Sequence, residues 1–147
     1  MEATPYLMTH AILSLNYVAV LAAAVAGFLL GWLWYSVLFG KIWMAEMNIT
    51  PEKMKAAAEK GMAKFFLKGF VLTFLGTFGL AALLAANRTM GWQKGALFGG
   101  FVGVCVVGAR MLNSGVWEQR SLRLLAINVG HEVALFTMQG AIFGVWR

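Results

Sequence analysis

Charge is what this chain has least of. Asp, Glu, Lys and Arg together make up 12% of its 147 residues, and none occurs between Glu2 and Lys41. So few ionic groups cannot clothe a water-facing surface of this size, which excludes an ordinary soluble globule. A single cysteine, Cys105, excludes an intrachain disulfide framework, and its place inside an apolar run predicts a small buried thiol. Proline occurs only at Pro5 and Pro51, whereas glycine occurs 17 times, mostly inside apolar runs. Abundant glycine with so little proline fits helices packed closely in lipid and excludes collagen-like or disordered chains. No basic residue precedes the first long run, which is itself too long for the core of a cleavable leader, so that run is expected to be retained.

Hydrophobic residues fill the space that charge leaves, at 61% of the chain and a mean hydropathy of +0.74. They gather into runs at 16–39, 65–86, 92–113 and 124–146. Each is long enough for a hydrocarbon layer of roughly 30 Å, and a lone helix satisfies its own backbone there while an open strand cannot. The expected fold is all-α: a single membrane-embedded four-helix bundle over residues 1–147. Trp32, Trp34, Tyr35 and Trp43 cluster at the end of the first run, where amphipathic rings favour the headgroup level. Between the first two runs, Thr50-Pro51-Glu52 reads as an N-cap, a proline in the first turn and an acid beside it. An amphipathic helix lying on the membrane surface is therefore predicted over 51–62.

The net charge of +6 sits between the runs, which points to lipid headgroups rather than nucleic acid. On one side stand Lys41, Lys53, Lys55, Lys60, Lys64, Lys68, Arg110, Arg120 and Arg123; on the other stand Arg88, Lys94 and Arg147. This bias predicts a cytoplasmic (inner) membrane protein with both termini on the periplasmic or extracellular side.

Lipid tails give helices little reason to associate except close backbone approach and internal polar contacts. Gly95, Gly99 and Gly103 recur every four residues in the third run, and regular 3.6 periodicity puts Arg110 on roughly the same face. Ala23, Gly27 and Gly31 repeat the interval in the first run, and Gly76 and Gly79 are the small residues of the second. These are expected packing seams, within one chain or between copies in a homo-oligomer.

The last run holds the chemistry. Asn128, Glu132 and Gln139 fall within about 40° of one another around a helix, with His131 flanking them. A carboxylate facing lipid is heavily penalised, so Glu132 is expected to point inward. Its expected partners are Arg110 first, then Asn113 or Lys68. Internal glue is the leading reading, with a self-associating structural or accessory bundle as its function. The alternative is a proton-coupled or small-solute carrier working through Glu132.

Enzymatic signatures fail. His131-Glu132 opens like a zinc-protease motif, but Leu135 stands where the second histidine is required. No metal, cofactor or catalytic set is expected, and the chain is read as a non-enzyme.

Several stretches together resemble a bacterial family of small four-helix integral membrane proteins catalogued only as a domain of unknown function. They are Asn16-Tyr17 and the small and apolar residues to Gly31, Trp34-Tyr35-Ser36, Leu38-Phe39-Gly40-Lys41, and Trp43-Met44. Later come Trp117-Glu118, Arg120, Leu122 to Leu125, Ile127-Asn128, Gly130-His131, and Gly140-Ala141-Ile142 with Gly144 and Trp146. The resemblance implies the inner membrane and four spans, supplies no activity, and draws attention to Tyr35, Ser36, Lys41, Asn128 and His131.

Overall fold

The computed structural model describes residues 3–146, and every regular element among them is helical. In order these are α1 (Ala3–Leu13), α2 (Tyr17–Trp32), α3 (Gly40–Glu46), α4 (Pro51–Glu59), α5 (Met62–Ala86), α6 (Trp92–Val102), α7 (Ala109–Trp117) and α8 (Leu122–Val145). A π-helical turn, Leu33–Leu38, prolongs α2, and another, Gly103–Gly108, joins α6 to α7 without a break. Seven continuous helices result among the described residues, so the expectation of a four-helix bundle is too simple. It overlooked α1 and α3, which the chain sets apart from α2 by short turns at Ser14–Asn16 and Phe39.

Local chemistry explains the boundaries. Asn16 caps α2 by accepting from the Ala19 amide at 3.1 Å, and Ser121 caps α8 by accepting from the Leu124 amide at the same distance. Thr50 accepts from the Lys53 amide at 3.3 Å, with Pro51 opening α4. Tyr17–Leu38, Met62–Ala86 and Trp92–Trp117 are each long and apolar enough to cross a membrane. α8, with 24 residues, would reach about 36 Å but carries Arg123, Asn128, His131, Glu132 and Gln139.

That most polar of the long helices is the hub. α2 and α6 run antiparallel to α8, while α5 runs parallel to it, as their paired residues show. The α6–α8 approach is backbone to backbone. A methyl group on Gly95 would collide with the carbonyl of Gly140, one on Gly140 with the carbonyl of Gly95, and one on Gly99 with the carbonyl of Phe136. Gly103 continues the line against Val133. At the end of the seam Gly91 has φ +89°, a left-handed conformation natural to glycine. Its amide donates to the carbonyl of Gly144 at 2.8 Å, tying the start of α6 to the end of α8. The seam read from Gly95, Gly99 and Gly103 is thus closed within one chain.

Ala23, Gly27 and Gly31 face another side of α8. Ala23 is fully buried, a methyl on Gly27 would stand 2.6 Å from Leu135 Cδ1, and one on Gly31 would stand 3.4 Å from His131 Nε2. Small and medium side chains fill the remaining core, among them Val20, Leu80, Ala81, Leu84, Val102 and Phe143. Leu29, Phe66, Leu72, Leu97 and Phe101 lie outside, a greasy exterior consistent with lipid contact.

The turn at Gly103–Gly108 corrects the placement of Arg110. A π-turn holds more residues than an α-turn, so it rotates everything beyond it relative to a regular helix. Gly108 and Gly115 therefore continue the buried face against Val129 and Leu125, and Arg110 is exposed. The sequence carries a trace of this, because the glycine interval lengthens from four to five between Gly103 and Gly108.

Candidate functional site: the His131–Glu132 cluster

α8 presents its polar residues at successive levels. Gln139, 1% exposed, donates through Nε2 to Thr77 Oγ1 at 2.7 Å and to the Ala23 carbonyl at 3.3 Å. Thr77 in turn donates to the carbonyl of Thr73 at 2.7 Å. One amide thereby links α2, α5 and α8.

Two turns earlier lies His131, 8% exposed, with Nδ1 3.0 Å from Glu132 Oε1. Its other ring nitrogen, Nε2, is buried and has no hydrogen-bond partner. Two aromatic rings flank the imidazole, Tyr35 at 4.9 Å and Trp34 at 6.0 Å between centroids. The π-turn of α2 allows these consecutive residues to face the same helix. Trp34 Nε1 donates to the Ile127 carbonyl at 3.0 Å, and Tyr35 donates to Asn128 Oδ1 at 3.3 Å. Trp34 and Tyr35, read from sequence as markers of the headgroup level, are thus turned inward as walls of the site, while Trp32 stays exposed.

Two hollows meet at the imidazole. A mostly apolar cavity of about 280 Å³ is lined by Thr73, Thr77, His131, Glu132 and Gln139 together with Leu72, Val107, Leu135 and Phe136. A wider groove of about 760 Å³ opens between α2 and α5, bounded by Phe28, Gly31, Trp32, Tyr35 and Phe66, again with His131.

The structure brings His131, Glu132 and Gln139 to one cavity; Asn128 stands a turn away, paired with Tyr35. It does not bring the expected partners to them. Arg110, Asn113 and Lys68 are exposed, and none bonds to Glu132. The carboxylate instead bonds its own neighbour. No three His, Cys, Asp or Glu side chains converge among the described residues, so a metal would find two adjacent ligands at most. What the pair can do is hold a proton between Nδ1 and Oε1 and offer Nε2 to a ligand. Thr73 and Thr77 escaped the sequence reading, and so did the packing role of Gly140 and Gly144. The two glycines repeat at the same interval of four as the seam they complete, which was the available signal.

Three helices long and apolar enough to cross a membrane, with a more polar helix among them, suit a helical membrane protein. The chain belongs to the family described as Protein of unknown function (DUF1761), whose model matches residues 18–144. No curated protein and no solved structure matches it.

Proposed function

We propose that the chain is a non-enzymatic, four-span protein of a bacterial inner membrane, with α8 as its fourth crossing, and that it carries a proton or small hydrogen-bonding solute by way of Glu132. One observation carries this reading: the cluster is not saturated. A purely structural polar network rarely leaves a buried donor or acceptor unpaired, because each such atom costs about 1–3 kcal/mol. Here His131 Nε2 has no partner, and a cavity of about 280 Å³ lies against Glu132. A paired Arg110, which would have favoured internal glue, is absent from the cluster.

The test is flux. Liposomes holding the purified protein and a trapped pH-sensitive dye should dissipate an imposed proton gradient faster than liposomes bearing Glu132→Gln. Equal rates for both proteins and for protein-free liposomes would remove the carrier reading. Orientation is tested in a Cys105→Ser background: an impermeant maleimide should label Arg88→Cys in intact cells and leave Lys55→Cys unlabelled until the membrane is opened.

A second reading, a self-associating accessory bundle, draws on α5. A methyl group added at Gly76 or Gly79 would meet nothing within 4 Å, which leaves small residues available to another copy. Crosslinking of the protein in membranes that is lost on Gly76→Leu would support it, and a monomer at all concentrations would end it.

A further inference from the structure

His131 has two ring nitrogens and a partner for only one. With Glu132 ionised and the imidazole neutral, Oε1 can only accept, so Nδ1 carries the ring proton and Nε2 presents a lone pair. Nε2 is buried and bonded to nothing, so a hydrogen-bond donor is missing from its surroundings.

The direction of the gap is set by α2. A methyl group at Gly31 would stand 3.4 Å from Nε2, in ordinary contact, so α2 meets this nitrogen at Gly31. Gly31 and His131 both border the groove between α2 and α5. Its walls are nearly all carbon and strongly aromatic: Phe28, Trp32, Tyr35 and Phe66, with Phe28 also edge-on to Phe66 at 6.2 Å and to Phe70 at 5.8 Å. The volume, about 760 Å³, falls within the range of roughly 300–1,000 Å³ that suits a ligand of ordinary drug size. Leu29, Trp32 and Phe66 at its margin are exposed, so the groove opens sideways onto the greasy exterior rather than onto water.

An aromatic slot with an unpaired imidazole nitrogen in its wall and a lateral opening selects a particular chemistry. Aromatic walls favour a planar ring, the bare Nε2 requires a donor on that ring, and the lateral opening admits a chain that stays in lipid. We infer that the groove between α2 and α5 binds a lipid-dissolved molecule with a phenol-type head and an apolar tail, its hydroxyl donating to His131 Nε2. This rests on reading His131 and Glu132 as a ligand site, and it names the class of ligand.

The chain has only two histidines, His10 and His131, which makes the imidazole directly observable. Protein labelled with ¹⁵N in histidine and carrying His10→Gln, held in dodecyl maltoside, is titrated with 4-dodecylphenol. A saturable shift of the Nε2 resonance is expected. Gly31→Ala should weaken binding about tenfold, the value of one lost hydrogen bond, with helical circular dichroism unchanged. Dodecylbenzene, which lacks the hydroxyl, should leave Nε2 unmoved, and dodecanol, which lacks the ring, should bind about two- to tenfold more weakly. An Nε2 signal that ignores 4-dodecylphenol overturns the inference, and so does the same shift with dodecylbenzene or an unaltered affinity in Gly31→Ala. A groove filled by a second copy gives the first of those results together with a stable dimer. Proton flux that depends on Glu132 without phenol binding would remove this inference and leave the carrier reading standing; phenol binding without flux would do the reverse.

Discussion

Gln139 Nε2 lies 2.7 Å from Thr77 Oγ1, and this contact joins α8 to α5 at a depth where neither side chain has water to turn to. Because the same nitrogen also reaches the Ala23 carbonyl, three helices share one amide. Gln139→Ala should lower stability in detergent by about 1–2 kcal/mol, and Thr77→Val by about 1 kcal/mol. The double variant should cost little more than Gln139→Ala alone, since both remove one network. Unfolding in mixed dodecyl maltoside and dodecyl sulfate measures this; full additivity would mean the two residues act separately.

The glycine seam makes a sharper demand. Gly99→Leu must push α6 off α8, because the first added carbon already collides with the Phe136 carbonyl. A loss of at least about 3 kcal/mol is expected, with faster proteolysis of the chain as the readout. Gly76→Ala on α5, where space is open, should stay within about 0.5 kcal/mol of the parent or gain slightly in helix propensity.

The π-turn at Gly103–Gly108 predicts an unusual tolerance. Removing one residue from it turns the segment into regular helix while both flanking glycine faces keep their alignment. Cys105 is exposed rather than the buried thiol that its apolar run predicts, and its deletion should therefore preserve the fold at a cost of about 1–2 kcal/mol, whereas deletion of exposed Leu97 within α6 should abolish it. Size-exclusion profiles and circular dichroism of the two deletions give the comparison, and equal damage would show that the turn has no such slack.

Glu118 lies beyond the end of α7 and sets a pH dependence outside the apolar helices. The Ser114 hydroxyl donates to its Oε1 at 2.7 Å, and Arg120 donates to Oε2 at 2.5 Å. The Ser114 hydrogen bond first, then the hydrogen bond and charge of Arg120, hold its carboxyl below the usual carboxylate range. A depressed folded-state pKa means that this link is fully present above the ordinary glutamate pKa and is lost as pH falls through the lower, folded value. Carboxyl ¹³C shifts of the labelled glutamates should show Glu118 titrating low, and Ser114→Ala should move it back up. No movement would mean that Arg120 alone holds it.

How much of this was legible depended on whether neighbouring residues could be read along one regular helix. Asn16, Thr50 and Ser121 announce helix starts by chemistry that acts within three residues. The seams at Gly27 and Gly99 appear because small residues repeat at the helical interval. Arg110 was misplaced because that interval was assumed to continue through Gly103–Gly108. Trp34 and Tyr35 were read by their amphipathic character, which describes a headgroup marker and an interior hydrogen-bond donor equally well; only the turn of α2 decides between them. Glu132 bonds its neighbour His131, which the sequence places on the flank because ideal helix angles ignore how far a side chain can bend toward the next one. The Gln139–Thr77–Ala23 link joins residues 62 and 116 positions apart, and nothing local to any of them specifies the others.

The hub position of α8 has a consequence for biogenesis. α8 leaves the ribosome after every helix it holds together, so α2 and α6 must wait in the membrane with their glycine faces uncovered. During that interval α2 and α5 can pack on each other, but α6 has no seam to close against, the state in which a chaperone or quality-control protease would find it. Synthesis halted at residue 121 would leave that state permanent, and the finished fold would come into being only with the arrival of the one helix least suited to enter lipid alone.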